Sequence, residues 1–411
     1  MQIERIGEGG TPAEVLRELS RCAAGRGEAP PAALIGDWFG SRAVLAPTLR
    51  ATAVEPARAF DLTARRTESP DSPTGGWIGG GWIGYRSYPD RPAGAPDLAL
   101  PEAAGGWTDS VLRQDADGCW WYESFTEEPC PAHWSAAVTR PRTAPRPWRI
   151  DWTRPDRAVH RDGVEQCLEA IRQGEVYQAC VCTHFLGRAH GDPLDFFADA
   201  VEATRPARAA FVAGEWGAVA SLSPELYLAR HGDRVTSSPI KGTLPISGDP
   251  DLLRASTKDV AENVMIVDLV RNDLGRLARP GSVRVTDLLG VYPAPGVWHL
   301  VSTVEATVPT PTTTTDLLDA SFPPASVTGC PKHRARQLLS QWEPTSRGVY
   351  CGTVGFTAPR AGTELNVAIR TVEFDSRGGA RLGVGGGITI DSDPDAEWQE
   401  CLDKAASILS L

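Results

Sequence analysis

From residue 176 to the end, apolar strand-like blocks follow one another with only isolated helices between them, and no βαβ alternation develops. Strands are predicted at 176–186, 210–230, 350–358, 365–375 and 381–390, and helices at 256–275, 331–342 and 394–410. A doubly wound sheet needs a helix after nearly every strand, so this order favours a mixed α+β sandwich. Just upstream, Val164, Cys167, Leu168 and Ile171 recur at i, i+3, i+4 and i+7, the apolar stripe of a helix that Gly174 stops. The run VYQACVCTHFL (176–186) reads as a buried strand whose Cys180 and Cys182 alternate into the core.

The N-terminal part is richer in Pro, Gly and Ala and carries short strand-like pieces such as SRAVLA (41–46). The near-duplication GGWIGGGWIGY (75–85) marks close backbone packing in a β layer rather than a repeat architecture. The segment TRPRTAPRPW (139–148) reads as a linker between a β-rich region, 1–145, and a second region, 146–411.

With 411 residues the chain can bury a large core. A formal net charge of −11 and a pI near 5.2 argue against nucleic acid and anionic membrane as partners. The same charge would repel an anionic substrate unless local cations or a metal offset it. No run approaches the ~18 apolar residues of a membrane span. The start MQIERIGEGGTPAEV lacks the basic and apolar segments of a signal peptide. Nine cysteines without a CxxC read as reduced thiols of a cytoplasmic protein.

Of 41 Lys+Arg residues only four are lysine, at 241, 258, 332 and 404. Where arginine meets ordinary surface needs, a lysine points to chemistry that guanidinium cannot do: a desolvated ammonium can lose its proton and attack carbon. Lys241, in SSPIKGTLP (237–245) between a Pro-Ile pair and a Gly-Thr turn, is the leading candidate. Lys258 reads equally well as a chance survivor.

Glu397 and Glu400 stand at i, i+3 and Lys404 follows Glu400 at i+4, so one helix face carries two carboxylates and an ammonium. A solvated face makes the same pattern. The strand before it, however, is stripped of side chains at Gly383, Gly385, Gly386 and Gly387, which lets a ligand approach the backbone. Asp259 and Glu262 repeat the i, i+3 spacing at the start of the 256–275 helix, and the two faces could share a hard cation such as Mg2+. Thr328-Gly329-Cys330-Pro331-Lys332 opens another helix, as an anion site or as a plain cap. Arg370 follows an apolar strand, where burial would demand an anionic partner. His299, in an apolar run, is either an acid–base group or a satisfied core residue. Glu225, taken alone, reads as a surface carboxylate. No P-loop, GxGxxG turn, GxSxG elbow or zinc-ligand spacing is present in the sequence.

Taken together these stretches resemble the chorismate-utilising enzymes, the family of anthranilate synthase component I, aminodeoxychorismate synthase component I and the isochorismate and salicylate synthases. The resemblance runs from about 165 to 408 through GEVYQACVCTHF (174–185), SLSPELYL (221–228), SPIKGTLP (238–245), DVAENVMIVDLVRNDLGRL (259–277), SFPPASVTGCPKHRA (321–335), ELNVAIRT (364–371) and GGGITIDSDPDAEWQECLDKA (385–405). It implies a chorismate-binding α/β sandwich of two large antiparallel sheets with helices outside. It implies Mg2+ bridged by Glu262 and Glu400, with Asp259 and Glu397 nearby, on the ring carboxylate of chorismate. Tyr350 and Arg370 would take the enolpyruvyl carboxylate, assisted by Lys404 and the backbone of Gly385, Gly386 and Gly387. Ser326, Thr328 and Lys332 would complete the substrate surroundings, and Glu225 resembles the acid that helps the C4 hydroxyl leave.

Two positions discriminate within the family. Isochorismate and salicylate synthases carry a Lys base where this chain has Gln178, and an amide cannot take that proton. Anthranilate synthases resemble PIAGT where this chain has PIKGT, the aminodeoxychorismate synthase pattern, in which the Lys amine attacks C2 and ammonia then adds at C4. The sequence also lacks a Leu-Leu-Glu-Ser segment, the mark of tryptophan feedback. Departures are Pro324-Ala325 and Cys330, which replace a Gly-containing pair and a small Ala. The resemblance further implies ammonia from a separate glutamine amidotransferase subunit, since no cysteine here sits in a Gly-x-Cys-x-Gly elbow.

Overall fold

The computed structural model describes residues 2–62, 77–92, 94 and 99–411. Gly75 and Gly76 of the near-duplicated segment lie outside them. Two antiparallel sheets, of twelve and ten strands, form the body. The larger runs in the order Gln2–Gly7, Trp120–Ser124, Ser110–Gln114, Ser41–Ala46, Ala32–Trp38, Arg208–Gly214, Gly217–Ser223, Thr371–Asp375, Gly379–Ile388, Gln178–His190 and Gly329–Cys330, with Arg149–Thr153 beside Gln178–His190. The smaller places Ile240–Pro245 and Val297–Thr307 at one end and Gly81–Arg86, Ala103–Thr108 and Thr52–Ala53 at the other. Strands from both sides of residue 145 therefore share each sheet, because Ala32–Trp38 hydrogen-bonds to Arg208–Gly214 and Gly81–Arg86 to Thr353–Ala358.

The facing sheets bury Leu34, Val44, Val212 and Val219 against Ile83, Val354 and Phe356. Alternation explains the division: every second residue of these strands enters this layer while its neighbours face the helices. Outside the larger sheet, Leu16 and Leu19 of the Pro12–Arg26 helix, Phe196 and Phe197 of Pro193–Thr204, and Cys401 and Ile408 of Pro394–Leu409 form a second core. The Thr257–Gly275 helix brings Ile266, Val270 and Leu274 to a third. No described helix is long and apolar enough to cross a membrane.

The predicted helices appear as Arg157–Arg172, Thr257–Gly275, Lys332–Trp342 and Pro394–Leu409. Ser256 caps the second through the Asp259 N–H, and Asp393 caps the last through Asp395 and Ala396, with Pro394 in its first turn. Two predicted strands each divide. The 210–230 run gives Arg208–Gly214 and Gly217–Ser223 in the larger sheet but Leu226–His231 in the smaller. The 365–375 run gives Gly362–Asn366 in the smaller sheet and Thr371–Asp375 in the larger. Their apolar patterns continue across the break because both halves are buried, so periodicity alone does not reveal that the chain changes layers. The two crossings lie side by side: Val367 N–H donates to the Glu225 carbonyl at 3.0 Å and Leu222 N–H to the Arg370 carbonyl at 2.9 Å.

Candidate active site

The glycines of Gly379–Ile388 are sites of close approach. A Cβ on Gly386 would stand 2.9 Å from Glu397 Oε2 and 3.8 Å from Glu400 Oε1, and one on Gly387 would stand 3.0 Å from Glu262 Oε2. A Cβ on Gly385 would press on Cys182 Sγ at 2.7 Å, and one on Gly383 on the Tyr350 ring at 2.2 Å. Gly386 thus admits Glu397 and Glu400 on one face of the strand and Gly387 admits Glu262 on the other, and the two acidic helices, far apart in sequence, meet through Lys258 and Glu397. Asp259 lies instead against the Lys241-Gly242 turn, 3.1 Å from where a Gly242 Cβ would be.

Each of the three glutamates faces a lysine. Lys241 Nζ is 3.5 Å from Glu262 Oε2, Lys258 Nζ 2.8 Å from Glu397 Oε1, and Lys404 Nζ 2.7 Å from Glu400 Oε1. Lys404 also donates to the Gly385 carbonyl at 2.8 Å, and Ser392 Oγ to Glu397 Oε1 at 2.6 Å. Glu397 Oε2 is buried without a hydrogen-bond partner. Among the described residues no three carboxylate, thiol or imidazole groups converge closely enough to hold an ion. Burial works against the Glu400 carboxylate, but Lys404 outweighs it and holds the carboxyl below its usual range. Burial likewise works against the Lys241 ammonium, but Glu262 together with its other anionic neighbours outweighs it, so Lys241 titrates above an ordinary lysine instead of losing its proton to burial.

Glu225 corrects the surface reading made of it alone, since it is only 3% exposed. Where the chain passes from one sheet to the other, both layers enclose it. Burial pushes its carboxyl up to about 7, against the pull of the Ser326 hydroxyl and of Lys241. Arg370, at the neighbouring crossing, holds a left-handed φ of 51°. Burial lowers its pKa and the charge of Glu225 acts the other way, and its guanidinium has no ion-pair partner among the described residues. His299 is buried, with Nδ1 3.1 Å from Thr243 Oγ1 and Nε2 lacking a partner. Burial, then Arg370, holds it down at about 4, so it is a neutral imidazole at pH 7. Tyr350 is buried over Gly383, its hydroxyl 4.0 Å from Cys182 Sγ. Gln178 is buried, and its Oε1 has no hydrogen-bond partner.

Thr328 spends its hydroxyl on the Pro324 carbonyl at 2.8 Å, and its own carbonyl accepts from Cys180 N–H at 2.9 Å. Lys332 lies apart from the acidic cluster: Nζ contacts Asp273 Oδ2 at 2.5 Å and the Ser321 carbonyl at 2.7 Å. The helix it opens has Pro331 at its N-cap with no side-chain cap. Sequence reasoning left Lys258 open between function and chance, on its rarity alone, and missed Ser392 and Asp273, which carried no signal.

The family model for chorismate binding enzyme matches residues 34–410, and the chain belongs to this family. The match begins well ahead of residue 165, as the shared sheets require. The chain is similar to aminodeoxychorismate synthase component 1 of Klebsiella aerogenes, 37% identical over 354 residues covering 81% of this chain and 77% of that protein. It is also similar to aminodeoxychorismate synthase component 1 of Salmonella typhimurium, 36% identical over 327 residues, 77% of this chain and 71% of that one. Its fold is that of anthranilate synthase component I from Streptococcus pneumoniae TIGR4, with a TM-score of 0.72 over 87% of this chain and 86% of that one at 24% identity.

Proposed function

We propose that the chain is the chorismate-aminating component of an aminodeoxychorismate synthase. The observation that carries this is that Lys241, only 12% exposed at its side chain and paired with Glu262, lies close enough for its charge to act on a buried Glu225 whose carboxyl is pushed up to about 7, so that a nucleophile and an acid share one site. One proton moved from the Lys241 ammonium to the Glu225 carboxylate leaves both in their working forms. The Lys241 amine then bonds to C2 of chorismate as the C4–O bond breaks, and Glu225 gives its proton so that water leaves. Ammonia bonds to C4, the C2–N bond breaks and returns Lys241, and the new ammonium restores the proton to Glu225. The sum is chorismate plus ammonia giving 4-amino-4-deoxychorismate, the precursor for p-aminobenzoate, plus water. Gln178 stands against water as the nucleophile. The neutral His299 beside Thr243 leaves Arg370 and Tyr350 as the groups for the enolpyruvyl carboxylate.

Asp259 stands off at the Lys241-Gly242 turn, while Glu262 and Glu400, with Glu397 beside them, are hard oxygen donors around strand backbone whose glycines a Cβ would fill. They suit Mg2+, which takes one or two carboxylates and leaves positions for substrate oxygens. When bound, Mg2+ supplies the charge that offsets the ring carboxylate of a dianionic substrate. Ammonia at neutral pH is mostly ammonium, so delivery from a glutamine amidotransferase partner is chemically favoured. The "component 1" of the relatives' names supports a second component. All nine cysteines are free, which suits the reducing cytoplasm. The test is incubation of the purified chain with chorismate, Mg2+ and ammonium or glutamine. Amination at C4 with ammonium is expected, with glutamine serving only once an amidotransferase is added. An amino group at C2, or a hydroxyl in its place, would overturn the assignment.

A further inference from the structure

Every lysine of the chain stands against a carboxylate: Lys241 on Glu262, Lys258 on Glu397, Lys404 on Glu400 and Lys332 on Asp273. The proposed chemistry uses Lys241, the family resemblance gives Lys404 to the enolpyruvyl carboxylate, and Lys332 lies apart with Asp273. Lys258 is left without a task. Its Nζ holds Glu397 Oε1, while Oε2 of the same carboxylate, on a residue only 2% exposed, is buried, unpartnered and nearest to Gly386. Ser392 donates to the same Oε1 at 2.6 Å, so Glu397 keeps one tether without the lysine. What Lys258 alone adds is a positive charge. An arginine could reach both oxygens with its fork and close off Oε2, whereas an ammonium acts as a point charge on one.

We propose that Lys258 is a built-in counter-ion of the acidic cluster, which keeps the divalent cation weakly held until the dianionic substrate arrives and so makes metal and substrate bind cooperatively. Without metal, Glu262, Glu397 and Glu400 each already face an ammonium. A dication entering this setting brings two charges in excess, and a dianionic substrate removes them. The inference rests on the reading of Glu262 and Glu400 as the Mg2+ site. Lys258 is a positioning residue for charge and touches no reacting atom.

The test is calorimetric titration of Mg2+ into the substrate-free full chain, repeated with chorismate present and ammonia absent. Its side chain is 36% exposed, so solvent screens the repulsion in part, and its removal is worth about a tenfold change in metal affinity. Lys258→Met should therefore bind Mg2+ about tenfold tighter than wild type without substrate, and the gain in Mg2+ affinity on adding chorismate should shrink by the same factor. Lys258→Arg keeps the charge and should bind Mg2+ no tighter than wild type. Circular dichroism confirms that each variant is folded. If folded Lys258→Met binds Mg2+ equally or more weakly while wild type binds Mg2+ and turns over chorismate, the lysine is a structural ion pair and only this inference falls. If wild type binds no Mg2+ at all, the reading of the acidic cluster falls with it.

Discussion

Replacing Glu225 by glutamine should abolish turnover and yet stabilise the protein above neutral pH. Burial lifts the Glu225 carboxyl from 4.5 to about 7, so between those values the folded chain holds a proton that the unfolded chain has lost. Stability therefore falls as pH rises through this window, and above pH 7 the full cost of a charged, buried carboxylate is present. At 1.36 kcal/mol per pH unit the shift corresponds to roughly 3 kcal/mol. Glutamine, neutral at every pH and still able to accept from Ser326, escapes that cost. With an unfolding entropy of about 2.1 cal/mol/K per residue, a chain of 411 residues should gain roughly 3 to 4 °C in Tm. The assay is thermal unfolding of wild type and Glu225→Gln at pH 4.5 and pH 8. The two should melt together at the lower pH and separate at the higher, with the variant above. In parallel, because the working form carries one proton between Lys241 and Glu225, wild-type kcat should fall about tenfold per pH unit below pH 7, where both groups are protonated, and hold level just above it. Equal Tm differences at both pH values, or a variant less stable at pH 8, would refute the argument that Glu225 carries a burial-raised proton.

Lys241→Ala should lose C4 amination and shift toward attack of ammonia at C2. Mass spectrometry of the wild type should trap a substrate adduct on Lys241, and unchanged C4 product from the variant would sink the covalent role. Glu400→Gln should remain folded and lose Mg2+-dependent turnover, and full activity at ordinary Mg2+ would remove Glu400 from the site. Lys332→Met should cost about 3–5 kcal/mol of stability in a denaturant titration, because Asp273 is left buried and unpaired, while KM for chorismate in the folded fraction stays unchanged. A tenfold higher KM with stability intact would instead make Lys332 a substrate ligand.

The helices and most strands were legible because the signals are local. Val164, Cys167, Leu168 and Ile171 mark a helix whichever segment they pack on, and Glu397, Glu400 and Lys404 share a face by helical period alone. PIKGT and Gln178 carry their chemical distinction in residue type. The glycines of 383–387 announced a close approach, though not what approaches. Glu225 and Arg370 were less legible. Each stands where an unbroken apolar pattern changes sheets, and the pattern of a buried strand is the same in either layer.

The sequence by itself determined the alternation of elements, the acidic faces of two helices, the scarcity of lysine and the family motifs. Each of these depends on residues within a few turns of one another or on side-chain chemistry. Only the tertiary structure decided that the N-terminal strands enter both sheets, that Glu225 and Arg370 meet at adjacent crossings, and that Lys332 turns to Asp273. It also decided that Lys258 turns to Glu397, whose other oxygen lies by Gly386. Those partners lie far apart in sequence, so their meeting depends on strand order and register. These are set by how the whole core packs, and no local window of residues contains that information.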